Sequence, residues 1–141
     1  MRIYKNNNLP SIVKPIQISC VADERGILSF VENGELTFPI ARVFWITNVP
    51  EGQVRGGHAH KVCAEILFVA QGEMEVMVHD GKTSAVCHLS NPNEGLYIGP
   101  NVWCEVRNFS SGAVCNVLCS HPYIAEGYIH DFEEFLSYVN G

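Results

Sequence analysis

Apolar residues along this chain come in short runs cut by turn residues, the pattern of strands rather than of helices. The stretch 12–19, IVKPIQIS, is extended but contains Pro15, which cannot donate to a ladder, so it suits an edge strand or an arm. Arg25-Gly26 leads into a strand over 27–31 that stops at Asn33-Gly34. Residues 41–47, ARVFWIT, are β-branched and aromatic and predict another strand. The segment 48–57, with one Pro and three Gly, reads as loop. A near-continuous apolar run over 64–70 predicts a strand buried on both faces. Residues 73–79, EMEVMVH, alternate polar with apolar, Asp80-Gly81 follows as a hairpin turn, and 83–89 returns with its own alternation. After a turn at 91–95, the segments 95–100, 102–108 and 113–120 predict three more strands. Only the tail changes period: Ile129, Phe132, Phe135, Leu136 and Val139 follow helical spacing and predict a short C-terminal helix packed on the strands. Many short strands at regular spacing predict an all-β sandwich or closed barrel.

The 141 residues, 47% of them apolar, suit one domain, 1–141, with a sizeable core. The net charge is −6 and the basic residues do not cluster. That excludes the basic stripe a nucleic-acid surface needs, and equally a polybasic membrane anchor. The first ten residues, MRIYKNNNLP, are polar, and no apolar run is long enough to span a bilayer, so a cytoplasmic protein without a leader is expected. Six cysteines, at 20, 63, 87, 104, 115 and 119, show no CxxC spacing, and 63, 87, 115 and 119 lie among apolar residues. They read as small buried hydrophobes rather than a disulfide framework.

Candidate chemistry concentrates in 52–72, GQVRGGHAHKVCAEILFVAQG. His58 and His60 are two apart on extended backbone, so both side chains share one face. Glu65 follows at the start of the apolar strand, and Gly72 ends it. Two histidines behind Arg55-Gly56-Gly57 suit either metal ligation or proton transfer, since imidazole titrates near neutrality. Glu65 alone reads equally as a buried carboxylate paired with an arginine. The spacing from Gly52 through His58, His60 and Glu65 to Gly72 resembles the first motif of the cupins. That resemblance implies an all-β cupin jelly roll (double-stranded β-helix) with a short C-terminal helix. In many cupins the two histidines and the glutamate hold a divalent metal, joined by a third histidine from a later hairpin. Here that later position is Cys104, so the metal set would be His58, His60, Glu65 and Cys104. Thiolate and imidazole suit zinc or iron. Cys104 also reads as a small buried residue.

Further motifs narrow the resemblance. Arg25-Gly26 with Leu28, RGGHAHK at 55–61, GLYIGPNVW at 95–103, NFSS at 108–111 and YIAEGYIHDFEEFL at 123–136 resemble the WxcM-like sugar-nucleotide 3,4-ketoisomerases, which act on dTDP-4-keto-6-deoxyhexoses. The resemblance implies a tautomerisation without cofactor or metal: a histidine takes the C3 proton of the 4-keto sugar, and reprotonation at C4 leaves the ketone at C3. It assigns His58 and His60 to the proton transfers. Arg55 and Arg42 become candidates for substrate charge, since a guanidinium suits a diphosphate bidentately. Tyr97 and Trp103 become candidate walls for base or sugar, with core packing as the alternative. It further implies a homodimer with exchanged N-terminal strands, for which the Pro-containing segment near 10–19 is a suitable arm. Three positions depart from the family's pattern: Phe44 stands where Tyr is usual, Glu65 where Gln is usual, and Cys104 where His is usual. The expectation is therefore a 3,4-ketoisomerase of a nucleotide-linked sugar in deoxysugar biosynthesis. A metal-dependent cupin enzyme and a sugar-nucleotide-binding module without catalysis are the alternatives.

Overall fold

The computed structural model describes residues 9–141 and the backbone of Arg2–Tyr4. Residues 1 and 5–8, part of the polar start read above, lie outside the described residues. In chain order the strands are β1 (Arg2–Tyr4), β2 (Val13–Gln17), β3 (Ser19–Asp23), β4 (Gly26–Phe30), β5 (Arg42–Ile46), β6 (Arg55–His60) and β7 (Glu65–Gln71). They continue as β8 (Met74–His79), β9 (Ser84–Leu89), β10 (Glu94–Ile98), β11 (Trp103–Arg107), β12 (Val114–Cys119) and β13 (Tyr128–Ile129), before helix α1 (Phe132–Asn140). One sheet has the order β1-β9-β8-β11-β6-β13, and the other β2-β10-β7-β12-β5. Their inner faces enclose the main core, with Leu67, Val69, Val76, Val78, Leu96 and Val117 near its centre. This is the expected jelly roll: two antiparallel sheets whose alternating inward residues interdigitate.

Local chemistry explains most of the elements. Pro15 sits on β2, at the edge of its sheet, where no ladder donor is missed. Asp80 accepts from the backbone N–H of Lys82 and Thr83, closing the β8–β9 hairpin as its Asp-Gly sequence requires. The tail differs from expectation. Ile129 belongs to β13, which pairs with β6, and the helix begins only at Phe132. Asp131 fixes that boundary by accepting from the Glu134 N–H at 2.9 Å as N-cap. Helix α1 then drives Phe135 into the outer face of the first sheet, against Trp103, Ala59 and Ile129.

The predicted loop 48–57 also gives way to strand at Arg55, and its two terminal glycines explain how. Gly56 and Gly57 both have positive φ, 80° and 76°. Across the ladder Cys104 faces His58 and Glu105 faces Gly56, so Gly57 is an extra residue in a bulge. A Cβ on Gly56 would lie 2.9 Å from the Cys104 carbonyl oxygen. The bulge breaks the period of two, so Arg55 and His58 line the same cavity although three positions apart.

The hairpin β3–β4 forms a sheet of its own. It carries Val21, Ile27 and Leu28 largely exposed, and the outer face of β5 adds Trp45 at 66% exposure.

Candidate active site

Strand β6 turns His58 and His60 inward, and β7 brings Glu65 beneath them. The two imidazoles meet edge to face with centroids 4.9 Å apart. Nε2 of His60 lies 3.2 Å from Oε1 of Glu65, an ion-pair distance, with both side chains buried. The contact is electrostatic rather than an aligned hydrogen bond, since among the described residues that nitrogen has no hydrogen-bond partner.

The two histidines are pushed apart in proton affinity. Burial, reinforced by the neighbouring charge of His60, lowers the His58 pKa to about 4. Burial acts on His60 in the same direction, but the adjacent Glu65 carboxylate outweighs it and the net displacement is upward. Near neutral pH, His58 is therefore a free base, while His60 holds its proton more firmly than an ordinary histidine.

Two cavities meet at this pair. The inner one, about 240 Å³, is lined by Arg42, Phe44, Arg55, His58, Glu65 and Cys104 among others. The outer one, about 150 Å³, is lined by Arg42, His60, Cys63, His121 and Tyr128 among others. Arg42 borders both. Its guanidinium lies over the Phe44 ring at 4.6 Å and the Tyr123 ring at 5.4 Å. Arg55 is exposed at the rim.

The structure thus brings together six of the eight residues singled out from the sequence: Arg42, Arg55, His58, His60, Glu65 and Cys104. The other two are elsewhere. Trp103 alternates with Cys104 on β11 and points outward. It packs on Phe132 and Phe135, and its indole N–H donates to Glu105 at 2.8 Å. Tyr97 alternates with the core residues Leu96 and Ile98 on β10, so it lies on the outer face, near Phe38. Neither lines the two cavities. Cys104 does line the inner one, and burial raises its thiol pKa well above the ordinary value, but it does not join the donor cluster. The donors that do cluster are those of His58, His60 and Glu65, all within 4.8 Å of one another.

The sequence reading passed over Tyr128 and His130. Strand β13 pairs with β6, setting Tyr128 directly across from His60. The Tyr128 ring lies 4.4 Å from His60 and 5.0 Å from His58, and it stacks on His130 at 5.4 Å. Both lie in the motif quoted at 123–136, and in the structure they flank buried Ile129 as His58 and His60 flank buried Ala59. The outer cavity adds Cys63, whose thiol pKa is held down, chiefly by hydrogen bonding from Cys119.

A jelly roll with inward histidines and a buried glutamate between its sheets defines the class: a cupin. The chain matches the family model described as FdtA, WxcM-like, C-terminal, over residues 11–140, and it belongs to that family. The TDP-4-oxo-6-deoxy-alpha-D-glucose-3,4-oxoisomerase of Aneurinibacillus thermoaerophilus is 35% identical over 127 residues, covering 89% of this chain and 91% of that protein. A 3,4-ketoisomerase from Helicobacter canadensis is 39% identical with a TM-score of 0.88, over 92% of this chain and 98% of that one. A mutant of the 3,4-ketoisomerase QdtA from Thermoanaerobacterium thermosaccharolyticum, in complex with TDP-4-keto-6-deoxyglucose, is 30% identical with a TM-score of 0.90, over 94% of this chain and 96% of that one.

Proposed function

We propose that this chain is a 3,4-ketoisomerase that moves the ketone of a TDP-linked 4-keto-6-deoxyhexose from C4 to C3. The observation that carries the mechanism is the pair of histidines edge to face at 4.9 Å, one of them 3.2 Å from the Glu65 carboxylate. The C4 ketone acidifies the C3 proton. Neutral His58 is the base that takes it, and the electrons form an enediolate across C3 and C4. Returning a proton to C4 and moving the O3 proton to O4 completes the 3-keto product, with no net oxidation. His60, whose proton affinity the adjacent Glu65 carboxylate raises, is the donor beside the enediolate oxygens. Arg42 adds a second fixed cation at the junction of the cavities. Arg55 at the rim suits the diphosphate, which stays outside a cavity of this size. Incubating the protein with TDP-4-keto-6-deoxyglucose and identifying the sugar by NMR tests this. The 3-keto isomer is expected, with loss of at least a hundredfold in rate in His58→Asn. An unchanged sugar contradicts it.

One observation favours a second reading: the clustered donors of His58, His60 and Glu65 suit a divalent cation. A metal held there would act as a Lewis acid toward the substrate oxygens. Elemental analysis of protein purified without chelators decides. About one equivalent per chain, lost in His60→Ala, supports the metal, and less than a tenth of an equivalent rejects it.

The working form is a homodimer in the cytoplasm. The exposed apolar residues of the β3–β4 hairpin and of β5 support the dimer, since a patch of Val21, Ile27, Leu28, Val43 and Trp45 is poorly solvated. Within one chain β2 pairs with β10, and the hairpin beyond it has no sheet to join. Exchange of that hairpin onto a second copy would cover both. No helix among the described residues is long and apolar enough to cross a membrane. Light scattering at micromolar concentration checks the dimer, and Trp45→Glu is expected to split it.

A further inference from the structure

We infer that Tyr128 is a catalytic residue, its phenol carrying the proton that must pass between the two substrate oxygens. The inference rests on the isomerase reading. That reaction moves two protons: one between carbons C3 and C4, and one from O3 to O4. His58 serves the carbons. The oxygens need a group that donates to O4 and accepts from O3, and a hydroxyl does both with no net gain or loss of protons.

Among the described residues lining the two cavities, Tyr128 carries the one hydroxyl. Phe44, the aromatic that lines the inner cavity, has none. The Tyr128 oxygen already accepts from Nη1 of Arg42 at 3.5 Å. No acceptor for its own proton is found among the described residues, which leaves that proton free for a substrate oxygen. The group is also held in place. Its backbone is fixed opposite His60 by the β13–β6 ladder, and its ring lies between His130 at 5.4 Å and Tyr123 at 5.5 Å. A donor fixed before the substrate arrives loses little on reorganisation. Burial raises the phenol pKa, partly offset by Arg42, so the group is protonated across the neutral range and ready to donate.

Tyr128→Phe removes one oxygen and keeps the ring, so the fold and the stack on His130 are retained. With TDP-4-keto-6-deoxyglucose, kcat is expected to fall at least tenfold, with KM and the calorimetric affinity for TDP within about twofold. Turnover by the unaltered protein tests the isomerase reading. The ratio of variant to parent tests Tyr128. A kcat above half the parental value overturns the inference. So does a rise in KM and a loss of TDP affinity that account for the whole effect, since the phenol would then be only a binding contact.

Discussion

Changing Glu65 to Gln keeps the side chain's shape and deletes one charge 3.2 Å from Nε2 of His60. Two unit charges at that distance interact by roughly 5 kcal/mol at an effective dielectric constant near 20, and by roughly 1 kcal/mol with water-like screening. Losing that attraction lowers the His60 pKa. Burial, which the carboxylate had outweighed, then favours the neutral ring. Glu65 also raises the His58 pKa, so its loss moves His58 further below about 4. If activity needs neutral His58 and protonated His60, the parental pH profile is a bell: it rises near pH 4 and falls above the raised pKa of His60. In Glu65→Gln both limbs shift toward acid. At pH 7.5 less of His60 is protonated than in the parent, and activity falls but recovers toward acid pH. Initial rates from pH 4 to 9, in buffers of constant ionic strength, measure this. An unmoved alkaline limb, or an equal loss at every pH, refutes the assignment of His60 as the protonated partner.

Three further outcomes concern the scaffold. His58 has a folded pKa of about 4 against an ordinary value of 6.5, so below pH 6.5 the unfolded chain binds its proton more readily and stability falls. Between pH 7.5 and 4.5 this costs about 2–3 kcal/mol, which urea titration should show in the parent and not in His58→Asn. Phe135→Ala empties the fully buried position under α1 and is expected to cost about 3–5 kcal/mol. It should also lower activity, because the helix anchors the segment that carries Tyr128. Gly72→Ala places a methyl at φ +80°, 2.8 Å from the Ala113 Cα. A loss of about 2–4 kcal/mol in chemical denaturation is expected.

The jelly roll was legible where local chemistry and burial agree. The Asp80-Gly81 turn, Pro15 at an edge and the apolar run into β7 each specify one answer. The histidine pair was legible because period-two geometry holds through His58, Ala59 and His60. What escaped was set by tertiary pairing. Strand β13 has two residues, too few for any periodic signal, and Ile129 also fits the spacing of the following helix. It is a strand because β6 offers a partner, and with it Tyr128 and His130 enter the site. The choice left open for Trp103, cavity wall or core packing, has a related cause. Cys104 and Trp103 alternate, so the inward position of one forces the other under α1, but the sequence alone does not say which points in. The bulge at Gly57 likewise reverses the phase of Arg55, and only the ladder reveals it.

The most direct test of the account is the fate of the C3 proton of TDP-4-keto-6-deoxyglucose, followed by proton NMR in deuterated buffer at pH 7. The account predicts that the C3–H signal disappears as the 3-keto isomer forms, at a rate that His58→Asn abolishes. A sugar that remains the 4-keto isomer, with its C3 proton intact after prolonged incubation with folded protein, contradicts it.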